Sequence, residues 1–409
     1  MQSTKLPYDV IMFALPRWDG QYSSTAFSLA QALSQHTRVF YIDNPFTWKD
    51  FLLNGKSKQI QRRRDALMGS GSPFSKPIAG NDNLIVVTPQ LVLPINWMPT
   101  GRIYAAFSKR NERVVYKVLS KLISTYNVER FVFVNSFNPL FLSRLSDEVR
   151  PLLTVYHCVD DISKSEYIAK HGTRLEREAI KHADLTLVTS RELMRLKERD
   201  SRRVYYLPNA ANVELFRQAF DGNTSRPAEL KQIPPKQKII LYMGNICQRL
   251  DYDLLVKLAR AHSDKTLVMV GPQTNAGYRT SGLSSLSNVL FTGPKDLTEL
   301  PAFVAASACC IIPFLCIPLT KSIYPLKINE YLAGGKPVVT TNFSEDIATF
   351  AGVAKVSENH DEFVSGVSDE INSDSPGKAK ERVEYAAANN WNARALQMLE
   401  IFEENINNR

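Results

Sequence analysis

Lys327 and Glu330 stand three residues apart in the run Tyr324-Pro325-Leu326-Lys327-Ile328-Asn329-Glu330-Tyr331-Leu332-Ala333-Gly334-Gly335-Lys336-Pro337-Val338-Val339. Pro325 suits the first position of a helix, where its missing N–H costs nothing, and the Gly334-Gly335 pair suits the end of one. On that helix Lys327 lies in the first turn and Glu330 one turn deeper on the same face, which leaves Ile328, Tyr331 and Leu332 for the core. The free N–H groups around Pro325 and Leu326 and the positive end of the helix dipole attract an anion, worth about 0.3–2 kcal/mol, and the Lys327 ammonium adds charge-assisted hydrogen bonds of about 1.5–3 kcal/mol. Glu330 can accept from both hydroxyls of a ribose, as acidic residues do in other nucleotide-binding sheets. The layout suits a nucleotide diphosphate sugar. The bland alternative is a solvated lysine and glutamate pair worth about 0.2–0.5 kcal/mol.

Three glycines follow three apolar runs in the same half of the chain: Gly244 after ILYM, Gly271 after LVMV and Gly293 after LFT. Ligands bind outside the carboxyl ends of strands in open α/β sheets, and a glycine there lets backbone approach a phosphate. Each glycine taken singly also reads as a tight turn; the series of three carries the argument.

In the first half, LLTVYH runs into Cys158-Val159-Asp160-Asp161, which puts His157 and two carboxylates at another strand end. A sugar hydroxyl is a poor nucleophile at neutral pH, so transfer with inversion needs a base within hydrogen-bond reach, and Asp160 or Asp161 can serve. In transfer with retention the departing phosphate takes that proton, and the same carboxylate positions the acceptor or stabilises charge on the sugar ring. The competing reading makes either aspartate the cap of a following helix, and His157 a structural residue. In the segment 16–24, Gly20 can let the loop approach donor phosphates or acceptor, while Ser23 or Ser24 capping the next helix is the plainer account. The six histidines lack ligand spacing and no DxD triplet occurs, so no metal is expected.

The elements that must position these residues are short, β-branched apolar runs at 8–14, 38–42, 84–88, 130–135, 152–157, 184–189 and 204–207. They read as strands buried on both faces. Between several lie helical patterns, with Ala26, Phe27, Ala30 and Leu33 on one face, and Val115, Val118, Leu119, Leu122, Ile123 and Tyr126 on another. Alternating strands and helices imply a parallel α/β sheet. The pattern stops over 221–237, where glycines and prolines gather as in a linker, and resumes with strands at 238–243, 266–270, 289–292 and 308–313 and helices at 251–262 and 297–306. The expected organisation is a domain at 1–220, a linker at 221–237, a second domain at 238–380 and a helical tail at 381–409 that packs back on the first domain.

The chain's 409 residues suit two domains. No apolar run reaches the roughly 18 residues of a membrane span, and the run at 10–15 is too short for a secretory segment. Five cysteines without CxxC spacing fit a reducing compartment. From these features the expected compartment is the cytoplasm. The formal charge of +9 favours polyanionic company. Over 46–68, Phe46, Trp48, Phe51, Leu52 and Leu53 mix with Lys56, Lys58, Arg62, Arg63 and Arg64. Such a segment binds an anionic membrane surface, here the inner face of the plasma membrane, or else forms a solvated insertion loop. No recognisable nucleic-acid module occurs, and nucleic acid is not an expected partner.

The C-terminal half resembles the nucleotide-binding domain of GT-B glycosyltransferases, particularly the family 4-like enzymes of bacterial surface polysaccharide and teichuronic acid synthesis. The stretches that carry the resemblance are ILYMGNICQRLDYDLL, LVMVGP, NVLFTGPKDLTELPAFVAAS, IIPF and PLKINEYLAGGKPVV, supported earlier by LPNAANVELF, ERE and HADLTLVTS. It implies two Rossmann-like domains facing across a cleft, with the donor, a UDP- or GDP-type sugar, on the second. The acceptor, a glycan or lipid-linked glycan, would lie on the first, and the reaction would be metal-independent, with retention favoured. Two departures stand out. Many family members have a second glutamate eight positions before the one matching Glu330, where this chain has Ser322; and the usual Arg/Lys pair is replaced by Asn245 after Gly244, with Arg249 as the nearby cation. Phosphate binding is therefore assigned to Lys327 first and Arg249 second. The rival readings are a non-catalytic nucleotide- or sugar-binding protein, suggested by Ser322, and a nucleotide-sugar epimerase of the same fold.

Overall fold

The run Asp9–Ala14 shows no alternation of polar and apolar residues, and from Val10 onward every residue of it is buried. A strand with two buried faces belongs inside a parallel sheet covered by helices. The computed structural model, which describes residues 6–20, 24–164 and 166–408, has that arrangement twice. The chain divides into a first unit, Met1–Leu207 with Arg394–Arg409, and a second unit, Pro208–Ala393.

The first unit holds β1 (Asp9–Ala14), β2 (Val39–Ile42), β3 (Phe74–Ser75), β4 (Leu84–Val87), β5 (Phe131–Ser136), β6 (Leu153–Cys158), β7 (Leu185–Val188) and β8 (Val204–Tyr206). They form one sheet in the order β3-β4-β2-β1-β5-β6-β7-β8. Every pairing is parallel except the two-residue β3 against β4. The strand order reverses between β1 and β5. The core beneath joins Ile11, Phe40 and Phe133 to Val115, Leu119 and Leu122 of the helix Arg102–Tyr126, the apolar face read from the sequence.

The second unit holds β9 (Ile239–Met243), β10 (Thr266–Val270), β11 (Val289–Gly293), β12 (Cys309–Ile312), β13 (Val338–Thr341) and β14 (Lys355–Ser357), all parallel, in the order β11-β10-β9-β12-β13-β14. Its order reverses between β9 and β12. The α/β class with two Rossmann-like sheets is thus as expected. Residues 221–237 lie within this unit, and Leu230 and Ile233 are buried in its core. The C-terminal stretch is two helices, Pro376–Ala387 and Trp391–Asn407. From Arg394 onward it belongs to the first unit, where buried Asn405 accepts from Arg203 at 2.6 Å and donates to the Tyr205 hydroxyl at 3.0 Å.

The segment 46–68 is not a solvated loop. It forms the helices Trp48–Asn54, closed by a Thr47/Asp50 capping box, and Lys58–Met68, capped by Ser57. Ile60 and Leu67 pack with Phe46 and Leu91. Arg63, grouped with the outward basic residues in the sequence, is instead buried and paired with Asp19 at 2.7 Å and Asp43 at 2.9 Å. Burial pushes the Asp43 carboxyl up to about 6 against the pull of Arg63.

Candidate functional site

The three glycines sit together because their strands do. Gly244 N–H donates to Val270 O at 2.8 Å and Gly271 N–H to Gly293 O at 2.9 Å, so the ends of β9, β10 and β11 form one step. All three have positive φ: 132°, 142° and 74°. A Cβ on Gly271 would lie 2.0 Å from Gly244 O, and one on Gly244 would lie 3.1 Å from Lys327 Cε and 3.3 Å from its Nζ. The backbone at Gly244 is thus closed down on the Lys327 side chain.

The loop after β9 is pinned on both sides. Ile246 N–H donates to Pro272 O at 2.8 Å and Thr274 N–H to Ile246 O at 3.0 Å; farther along, Asp251 N–H donates to Pro313 O and Leu315 N–H to Arg249 O, both at 2.9 Å. Asn245 is held there by its carbonyl, which accepts from the Tyr242 hydroxyl at 3.0 Å, and by its side-chain oxygen, which accepts from Thr274 Oγ1 at 2.7 Å. A loop fixed in this way presents its N–H groups and side chains with little motion left to lose on binding.

The helix Leu326–Ala333 supplies Lys327 and Glu330. Pro325 is its N-cap rather than its first residue, Gly334 is the C-cap, and Gly335 turns away with φ 70°. Ile328, Tyr331 and Leu332 are buried, and the Tyr331 hydroxyl accepts from Met243 N–H at 2.8 Å, locking the helix to the end of β9. Lys327 Nζ lies 4.8 Å from the Phe314 ring centre and 5.5 Å from that of Tyr242, and the Arg249 guanidinium lies 5.9 Å from Phe314. Burial, with the neighbouring Arg249 cation, pushes the Lys327 ammonium down to about 8, against the pull of Glu330. Burial pushes Glu330 up to about 7, against Lys327. Two cations gathered over aromatic faces, with one carboxylate, form a site that an anionic ligand would complete.

Among the sequence candidates the structure brings together Gly244, Asn245, Arg249, Gly271, Gly293, Pro325, Leu326, Lys327 and Glu330. Ser322, which stands where many glycosyltransferases have a glutamate, is buried, and its hydroxyl donates to Leu319 O at 3.3 Å. Tyr242, Thr274 and Phe314 also belong to this cluster, and the sequence reading did not single them out for it. Tyr242 looked like one more core residue of a strand, and Thr274 carried no signal.

Asp160, Asp161 and Gly20 belong to the first unit. Asp161 Oδ1 accepts from Ser163 N–H at 3.0 Å and from its hydroxyl at 2.7 Å, capping the short turn Ile162–Lys164, and Asp160 Oδ1 accepts from Asp161 N–H at 2.8 Å. His157 is fully buried; its Nδ1 lies 3.0 Å from Ser136 Oγ, and burial pushes its pKa down to about 4. Gly20 is exposed and its N–H donates to Arg17 O at 3.1 Å. Of the two serine caps expected after it, Ser24 accepts from Phe27 N–H at 3.1 Å, and Ser23 lies outside the described residues. Among the described residues no group of three His, Cys, Asp or Glu side chains is placed to hold a metal ion.

With this geometry in view, the chain can be set beside known proteins. It is 30% identical over 184 residues to the putative teichuronic acid biosynthesis glycosyltransferase TuaH of Bacillus subtilis (strain 168), a match covering 42% of this chain and 45% of that one. It is 24% identical over 203 residues to the putative colanic acid biosynthesis glycosyl transferase WcaI of Escherichia coli (strain K12), covering 47% and 50%. The match thus spans about half the length of these relatives. In structure it resembles an E. coli trehalose-6-phosphate protein bound with UDP-2-fluoro glucose, at a TM-score of 0.68 and 11% identity over 96% of this chain and 98% of the other. At that identity the likeness is one of fold, and the fold is GT-B. Residues 237–371, the stretch that builds the Lys327 cluster, match the family model of Glycosyl transferases group 1.

Proposed function

We propose that this protein is a glycosyltransferase that moves a sugar from a UDP- or GDP-type nucleotide donor to a hydroxyl of a lipid-linked surface glycan. The observation that carries the reading is the cluster in which Gly244 and Gly271, with φ of 132° and 142°, bring backbone against the Lys327 ammonium, with Arg249 and Glu330 beside it. The diphosphate meets Lys327 first and Arg249 second, and Glu330 accepts from the ribose hydroxyls. Two side-chain cations supply the charge that a metal ion would otherwise bring, which favours metal-independent transfer. In transfer with retention the bond between the anomeric carbon and the diphosphate oxygen breaks, the acceptor oxygen bonds to that carbon on the same face, and the hydroxyl proton passes to the departing phosphate. Asp160 or Asp161 then positions the acceptor or stabilises charge on the ring, each carboxylate being held by a local hydrogen bond, from Ser163 to Asp161 and from Asp161 N–H to Asp160.

Ser322 favours a second reading, in which the protein binds a nucleotide sugar without turning it over. Calorimetric titration with UDP, GDP, ADP and CMP tests the site. One nucleotide is expected to bind in the micromolar range, and Lys327→Ala and Glu330→Ala are each expected to weaken it by at least about 1 kcal/mol. Binding that ignores both residues removes the donor site. Binding of the intact donor with no transfer to any lipid-linked acceptor moves the second reading ahead.

A further inference from the structure

The first unit contains a cavity of about 390 Å³ at the ends of β1 and β5, where its strand order reverses. Open parallel sheets form ligand crevices at such points. One part of the cavity's wall is apolar, with Leu15, Val92, Leu93, Ile95, Leu140 and Phe141, and polar side chains, among them Arg17, Asp50, Tyr104 and Ser108, line the rest. Several of its polar side chains are already committed to the protein. Asn111 brackets the backbone of Leu93, accepting from its N–H at 2.8 Å and donating to its carbonyl at 2.9 Å. Asp50 Oδ2 takes the N–H and the hydroxyl of Thr47, and Asn44 Oδ1 accepts from Asn138 at 3.1 Å. The apolar part of the wall offers no hydrogen-bond partner to a sugar hydroxyl, whereas an alkyl or prenyl chain needs none there.

Arg17 differs from the other polar lining residues. Its Nε donates to Asn44 O at 3.0 Å and one amino group to Pro45 O at 3.1 Å, and its plane lies 3.5 Å from the Phe46 ring centre. It forms no ion pair among the described residues, because Asp43 and Asp19 are paired with Arg63 and Asp50 closes its own helix cap. Burial pushes the guanidinium pKa down even with those aspartates near. The cavity therefore joins an apolar wall to a half-buried cation that makes no salt bridge among the described residues, with Asp43, Asp50 and Asp19 near it.

The segments that line it also carry the unit's exposed apolar side chains. Thr47 and Asp50 line the cavity, while Trp48 and Lys49 between them face solvent. Asn96 lines it, and Trp97 beside it is 73% exposed. Tyr104 and Ser108 line it from the helix Arg102–Tyr126, and Ile103 on the same first turns is 66% exposed, next to exposed Arg102. A partly apolar cavity bordered by outward aromatic, aliphatic and basic side chains has the chemistry of an opening onto an anionic lipid surface.

From this juxtaposition we infer that the cavity takes the hydrocarbon chain of an anionic amphiphile, with Arg17 on its phosphate, so that the acceptor is gripped in the first unit by its lipid end. The word acceptor rests on the transferase reading; the lipid site itself does not.

The test titrates the full chain with farnesyl phosphate below its micelle concentration, with farnesol and with inorganic phosphate, and titrates the same samples with UDP. Farnesyl phosphate is expected to bind at least tenfold more tightly than either fragment. Arg17→Gln and Ser108→Trp, the latter filling the cavity from a half-exposed helix position, are each expected to weaken it at least tenfold while UDP affinity stays within twofold. Farnesyl phosphate that binds no better than phosphate, or that ignores Ser108→Trp, overturns the inference. So does binding abolished by Leu52→Asp but not by Ser108→Trp, which would put the lipid on the outer surface. If farnesyl phosphate behaves as expected and no nucleotide binds, the cavity assignment stands and the donor reading fails alone.

Discussion

Lys327 and Glu330 stand out in the sequence by their spacing, and in the fold both titrate away from their ordinary ranges. Burial and Arg249 bring the Lys327 ammonium down to about 8, and burial brings Glu330 up to about 7. A diphosphate needs Lys327 charged, so above pH 8 the free protein must take up a proton to bind, and affinity falls by up to about tenfold per pH unit. Below pH 7 Glu330 gains a proton and loses acceptor strength toward a ribose, so affinity falls there too. Affinity for a UDP-sugar, whose diphosphate does not titrate in this range, is therefore expected to peak between about pH 7 and 8. Calorimetry in buffers of different ionisation heat reads the proton uptake directly. Lys327→Ala should flatten the alkaline limb and Glu330→Gln the acid limb; limbs unchanged by these substitutions would mean that other groups titrate.

At the scale of the element, the step made by the ends of β9, β10 and β11 depends on glycine to different degrees at its three positions. Gly271 has φ 142° and its missing Cβ would meet Gly244 O at 2.0 Å, whereas Gly293 has φ 74° with nothing within 4 Å of the Cβ position. Gly293→Ala should cost only the left-handed backbone penalty of about 1–2 kcal/mol. Gly271→Ala adds a backbone clash that cannot relax without moving Gly244, and with it the surface against Lys327. Urea unfolding should show the larger loss for Gly271→Ala, and nucleotide affinity should fall with it but stay near wild type in Gly293→Ala. Equal losses would remove the special role of the β9–β10 contact. These strands were legible because a run such as IILYM, buried along its whole length, has few other places to go. The three-residue β14, Lys355–Ser357, carries too few apolar residues to stand out, and it exists because β13 offers it an edge. The helices of 46–68 were hidden for another reason. Arg63 looks solvated by type, and only the fold brings Asp19 and Asp43 to it across gaps of 44 and 20 residues. The candidate cluster was legible where one short motif holds it, at Lys327 and Glu330. It was not where contacts join separate loops, as Thr274 joins Asn245.

For the whole molecule, the question is how a chain with net charge +9 and no described helix long and apolar enough to cross a membrane would reach the lipid-linked acceptor proposed above. The first unit offers an answer in the exposed residues of 46–68. Leu52 and Leu53 are 76% and 70% exposed, and Lys49, Lys56, Lys58, Arg62 and Arg64 face solvent around them. Each basic residue near an anionic surface contributes about 1 kcal/mol, and burying a leucine side chain about 1.5–3 kcal/mol. The Arg62 contribution is shared with Asp19, 3.2 Å away, so the electrostatic part comes mainly from the other four. Such a balance predicts reversible attachment with two separable dependences. Binding to vesicles rich in anionic lipid should be clear at low ionic strength and fall sharply near 1 M salt, where the screening length shrinks to about 3 Å. Leu52→Asp with Leu53→Asp should weaken it at every salt concentration, and Lys56→Glu with Arg64→Glu should remove mainly the salt-sensitive part. Co-sedimentation measures both. Equal attachment to neutral vesicles would discard the electrostatic component, and attachment indifferent to all four substitutions would move the membrane contact away from this face.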